Sequence, residues 1–133
     1  MAMARTPLPL VGVMAKAPRP GHAKTRLTQA FPPEVAADFY LHFLRDTVDA
    51  VRRVDGTETI LVCPAGDSSD LHRLGLGLPI VEQVEPGLMQ GLAFGIAHGL
   101  SAGHPAVVLV NGDSPTLPSA CVAEALADRK SVV

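Results

Sequence analysis

The sequence predicts an α/β protein with a mostly parallel sheet and helices on both faces, and three observations carry that prediction. Short apolar runs alternate with stretches of helical period along most of the 133 residues. The first run, Leu8–Met14, is almost continuously apolar, as expected of a parallel strand covered on both faces. Strand–helix alternation throughout implies right-handed crossovers between parallel strands, hence a Rossmann-like sheet.

Taken in order, Leu8–Met14 is the first strand. From Pro33 to Val54 the period becomes helical: Ala37, Leu41, Leu44, Val48 and Val51 form one face, and Asp38, His42, Arg45, Asp49 and Arg52 the other. Thr57–Cys63 is a second strand, broken by Pro64-Ala65-Gly66-Asp67. Ser68–Leu74 reads as a short helix and Leu78–Val84 as a third strand. The next helix carries Leu88, Leu92, Ile96 and Leu100, with Gly87, Gly91, Gly95 and Gly99 in an offset row. Each glycine costs a helix about 1 kcal/mol relative to alanine, so a helix with several is expected to pack close to a strand or a ligand. Ala106–Val110 is the fourth strand and Pro118–Lys130 the last helix.

Ala106–Val110 has the composition of a central strand, yet little sequence follows to cover it. In a 3-2-1-4 order it would form an apolar edge, which invites pairing. The expectation is that a further strand is missing, the sequence reading as C-terminally truncated, or that a homodimer forms through the fourth-strand edge.

A length of 133 residues fits one α/β domain, 1–133, with a real core. A formal charge of −2 and an aromatic content of 4% without Trp give no support to nucleic-acid or membrane binding. Leu8–Met14 is too short and strand-like for a signal or a span. Cys63 and Cys121 form neither a disulfide framework nor a metal cluster, and free thiols fit a cytoplasmic protein. The five histidines show no ligand spacing, and His22 alone lies near a candidate site.

The loop after the first strand holds the strongest functional signal. Lys16, Arg19, Lys24 and Arg26 stand in a segment stiffened by Pro18, Pro20 and Gly21, with no carboxylate nearby in sequence. Ligands of α/β sheets bind at the carboxyl ends of the strands, so a fixed cationic loop there suits phosphate. The alternative is a solvated basic loop. It is not a Walker A loop, because His22 and Ala23 separate Gly21 from Lys24-Thr25, and there is no Gly-x-Gly-x-x-Gly turn.

Two other strand ends face the same edge. Asn111-Gly112-Asp113-Ser114-Pro115 follows the fourth strand, and Asp113 could hold Mg²⁺, which takes one or two carboxylates together with substrate phosphates. The same residues also fit a plain strand-ending turn. Glu85-Pro86-Gly87 opens the glycine-rich helix, where bare backbone could approach a ribose or phosphate, or simply form a Pro-Gly turn. Ser114 lacks a nucleophile elbow.

At these residues the sequence resembles the DUF2064 family. Met14-Ala15-Lys16-Ala17-Pro18-Arg19-Pro20-Gly21 with Lys24-Thr25-Arg26-Leu27 is similar to that family's N-terminal signature, and Asn111-Gly112-Asp113-Ser114-Pro115-Thr116-Leu117 to its acidic motif. The family is GT-A-type and nucleotide-diphospho-sugar-transferase-like, related to 2-phospholactate guanylyltransferases and, more distantly, to molybdenum cofactor guanylyltransferases.

The resemblance implies a GT-A fold that binds an NTP or NDP-sugar, with a small-molecule acceptor. It puts Ala15, Lys16, Lys24, Arg26 and Gly87 at the nucleotide, Lys24, Arg26 and Asp113 in the catalytic roles, and Mg²⁺ on Asp113. Relatives continue into further strands with a second acidic motif, so the expected content is the donor half of a transferase site. The reading from another class is a non-catalytic nucleotide-binding or interaction module, a shortened family member acting as a dimer.

Overall fold

The computed structural model describes residues 7–21, 30–112 and 124–125. Its elements are β1 (Leu10–Met14), α1 (Pro33–Arg52), β2 (Glu58–Cys63), α2 (Ser68–Arg73), β3 (Ile80–Glu82), α3 (Leu88–Ser101) and β4 (Val107–Asn111). The strands form a parallel sheet in the order β3-β2-β1-β4, with Leu10 level with Glu58 on one side and Val107 on the other. Among the described residues β4 pairs only with β1. The expected α/β architecture is therefore present, and its strands take the 3-2-1-4 order in which the fourth was considered. Of the expected last helix, Glu124 and Ala125 are described and are helical.

Alternation along the strands sorts their side chains to two faces. Val11, Val13, Leu61, Cys63, Val108 and Val110 join Tyr40, Leu44, Val48 and Val51 of α1 and Leu71 of α2 in the larger core. Leu10, Ile60 and Val62 face the other way, with Met14, Val81, Phe94 and Val107 packed against them.

α1 begins with Pro33, whose missing N–H would have no partner in a first turn anyway, and with Glu34 placed favourably for the helix dipole. The polar face read from the sequence (Asp38, His42, Arg45, Asp49 and Arg52) is exposed throughout. Leu41 is only half-buried, because Tyr40 and Ala36 take its expected place in the core.

On the opposite face the glycine row of α3 meets the sheet. Gly91, Gly95 and Gly99 are buried, while Leu88 and Leu100 are exposed. A Cβ on Gly99 would lie 2.5 Å from Val107 Cγ2, and one on Gly95 would lie 3.1 Å from Leu109. Gly12 of β1 is bare for the same reason: its Cβ would stand 2.5 Å from Leu109 Cδ2. Leu109 thus occupies a slot between a strand glycine and a helix glycine. The expectation of close packing against a strand holds.

β3 is shorter than the expected Leu78–Val84. Its pairing with β2 ends where Gln83 donates to the Cys63 carbonyl at 2.8 Å, and Val84, 82% exposed, has already left the sheet. Among the described residues no helix is long and apolar enough to cross a membrane.

Candidate functional site

Because all four strands are parallel, their carboxyl ends share one edge, and the candidate loops leave from it. Ala15 continues the line of β1: it is buried, and its N–H donates to the Val62 carbonyl at 2.9 Å. Lys16 is exposed and has no ion pair among the described residues.

The backbone of this loop is fixed from both neighbouring helices. The Lys16 N–H donates to the Tyr40 hydroxyl of α1 at 2.7 Å, and the Ala17 N–H donates to Asp67 Oδ2, at the start of α2, at 2.9 Å. Pro18 follows at the centre of a tight turn in which the Arg19 N–H reaches the Ala17 carbonyl at 2.8 Å. Proline's locked φ suits that turn, and Gly21 supplies the positive φ of 76° that ends it.

The structure corrects one expectation here. Arg19 is not a free phosphate cation. Its guanidinium pairs with Asp67 Oδ1, and its Nε lies 3.0 Å from Asp70 Oδ2, while Asp70 also accepts from Arg73 at 3.0 Å. Two carboxylates from α2 and its cap therefore neutralise one cation, Arg19, of a loop that looked purely basic in sequence. Of the described cations in the loop, Lys16 is the one left facing solvent without a counter-charge.

β4 brings its end directly beside this loop. Asn111 is level with Met14, and the Gly112 N–H donates to the Met14 carbonyl at 2.8 Å. A Cβ on Gly112 would stand 2.7 Å from that carbonyl oxygen and 3.0 Å from Leu44, so this position must be bare. Lys24, Arg26 and Asp113 lie outside the described residues, as does His22. Among the described residues no group of three or more His, Cys, Asp and Glu could hold a metal ion.

Gly87 lies after β3, two strands away from β1, yet α3 returns across the sheet toward β1. A Cβ on Gly91 would lie 2.8 Å from Met14 Cε. The turn before α3 is held by Gln83, which is 6% exposed and donates through Nε2 to the carbonyls of Glu85 at 2.7 Å and Gly87 at 3.0 Å. Gly87 itself sits at φ 110°, a conformation that L side chains rarely adopt.

On the far side of this edge, Glu82 accepts from the Ser68 hydroxyl at 2.6 Å and the Gly66 N–H at 3.2 Å, which together hold its carboxyl below the usual range. Cys63, buried and free, has its thiol pushed up to about 12, first by burial and then by the nearby Glu82 and Asp67 carboxylates. A thiol so held is no nucleophile at neutral pH.

Sequence reading missed three residues that shape this edge: Tyr40, Asp67 and Gln83. Tyr40 lies on the core face of α1, next to Leu41, which the apolar period picked out in its place. Asp67 lies in a segment that reads only as a strand breaker. The available signal for Gln83 was a polar residue inside an apolar strand pattern.

The arrangement has known counterparts. The family model described as "Uncharacterized protein conserved in bacteria (DUF2064)" matches residues 47–131. A phosphoenolpyruvate guanylyltransferase of Mycobacterium marinum (strain ATCC BAA-535 / M) is 27% identical over 120 residues, covering 87% of this chain and 55% of that protein. A crystal structure from Desulfovibrio desulfuricans G20, provisionally assigned as a nucleotide-diphospho-sugar transferase, superposes with a TM-score of 0.81 at 24% identity. That match covers 90% of this chain and 53% of the other. The chain thus spans about half the length of the relatives it matches. Since the family model takes in more than half of the chain, from the last turns of α1 through β2, α2, β3, α3 and β4, the chain belongs to the DUF2064 family.

Proposed function

We propose that this chain carries the donor-binding part of a transferase that takes a nucleoside triphosphate or a nucleotide-sugar. The observation that carries the reading is the convergence of three bare or cationic backbone segments on one sheet edge. The Lys16 loop, the Gly112 turn and the Gly87 turn all open there, as ligand sites of parallel sheets do. The guanylyltransferase relative favours nucleotidyl transfer over sugar transfer within this class.

In this reading Lys16 meets the phosphates as a point charge, joined by Lys24 and Arg26. The backbone around Ala15 and Gly87 lies against the nucleotide. Mg²⁺ suits Asp113, since a hard cation needs only one or two carboxylates when phosphates complete its shell. Gly112 supports that assignment: its hydrogen bond to Met14 fixes the residue immediately before Asp113 at the end of β1. When bound, the ion would neutralise phosphate charge. The chain's own contribution is to orient the donor for in-line attack by a small-molecule acceptor.

The test is a thermal-shift titration with GTP, ATP, CTP, UTP and UDP-glucose, each with and without Mg²⁺. A ligand that binds only the native state raises its stability with concentration. The expected result is a Mg²⁺-dependent shift with one donor that is absent in Asp113→Ala and weakened about tenfold in Lys16→Ala. No shift with any donor would overturn the reading and leave a non-catalytic module.

A further inference from the structure

We propose that Asp67 is a positioning residue that shapes the Lys16 loop for phosphate, acting through Ala17 and Arg19 without touching the ligand. The inference rests on the donor-binding reading above and names how its loop is held.

Asp67 stands at the N-cap of α2, the place where an aspartate ordinarily accepts N–H groups from its own helix. Here it makes no side-chain cap bond. Its carboxylate turns the other way: Oδ2 takes the Ala17 N–H at 2.9 Å, and Oδ1 takes the Arg19 guanidinium. The side chain is 4% exposed. A carboxylate buried to that extent is costly unless it is paired and hydrogen-bonded, so its partners must be in place for the fold to tolerate it. The capping role given up at α2 has gone to another loop, across 50 residues of sequence.

The consequence falls on Lys16. Its own N–H is held by Tyr40 and the next N–H by Asp67, so the residue is bracketed between α1 and α2 while its side chain stays exposed. Arg19 completes the brace, shared between Asp67 and Asp70. Its charge is neutralised within the protein, which leaves it a strut and leaves Lys16 to meet the anion. Fixing a loop before binding removes an ordering cost that the ligand would otherwise meet.

The experiment compares wild type with Asp67→Asn, which keeps the shape but loses the charge, and with Arg19→Gln, which cuts the brace from its half-exposed side. Two readouts are needed. Without ligand, amide hydrogen exchange over residues 15–21 should rise in both variants while exchange in β1 and β2 stays as in wild type. With Mg²⁺ and the donor that shifts wild type, each variant should bind about tenfold more weakly, and Asp67→Asn/Lys16→Ala should bind no more weakly than Lys16→Ala alone.

Unchanged exchange in the loop would overturn the positioning role, whatever the ligand proves to be. Losses that add in the double variant would also overturn it, since a merely destabilising change would not act through Lys16. If the loop loosens as expected but wild type binds none of the donors, the donor reading fails and the brace stands as a property of the loop. If Asp67→Asn does not fold, Arg19→Gln alone carries both readouts.

Discussion

The two faces of the sheet are covered in opposite ways. α1 covers one with large side chains: Tyr40, Leu44, Val48 and Val51 interdigitate with Val11, Val13, Val108 and Val110. α3 covers the other with Phe94 and, for the rest, with its backbone, its glycines drawn down onto Val107, Leu109 and Leu10. The first face depends on volume being present and the second on volume being absent. A helix brought this close takes part of its stabilisation from strand side chains touching its backbone, which offsets the propensity that its glycines forgo.

Substitutions that reverse volume on each face test this contrast. The largest effect should come from Leu44→Ala, at a fully buried position on the α1 face. Deleting that side chain should cost about 2–5 kcal/mol, read as a lower midpoint in urea at unchanged slope. A loss under about 1 kcal/mol would mean that the face collapses around the gap and is not packed as described.

Gly99→Ala should act through overpacking. Its Cβ would meet Val107 Cγ2 at 2.5 Å and Leu10 Cδ2 at 2.9 Å, and strain of about 1–3 kcal/mol should outweigh the roughly 1 kcal/mol gained in helix propensity. A more stable variant would show that α3 can lift off the sheet without loss.

The smallest effect is read by a chemical probe of Cys63. In a Cys121→Ser background, Cys63 should react with a disulfide reagent at pH 8 only as fast as the protein opens, because the thiol is fully buried and its pKa is about 12. The protonated thiol's contribution is complete below the unfolded value of 9.0 and is lost as pH climbs toward 12, so unfolding should become easier across that window. Rapid labelling of the native protein would show that the α1 face admits solvent.

Local pattern made most of this architecture readable, and its failures share a cause. The polar side of α1 and the glycine row of α3 are periodic, so near neighbours in sequence reported them correctly. Arg19 looked free because its carboxylates lie about 50 residues on, and a charge count over a short window cannot see a partner at that separation. Tyr40 stands one place before Leu41, the residue the apolar period selected, so the hydroxyl that receives the Lys16 N–H was passed over. Gln83 is similar: a single amide in an apolar stretch gives no hint that it will tie two carbonyls of the following turn. At this edge, period gave the backbone plan, and long-range polar contacts gave each loop its shape.

The strand order also governs the sequence of events when the chain first folds. β1 gains its β2 neighbour after a loop of about 50 residues, but its β4 neighbour only after about 100, and closing longer loops costs more entropy. During synthesis the β1–β2–β3 unit can therefore assemble while one side of β1 still waits for a partner. α3 is made in that interval, and its glycine face has Leu10 to rest on before Val107 and Leu109 arrive. β4 then enters a groove whose wall and neighbour already stand, and at that step the Lys16 loop acquires its Gly112 companion.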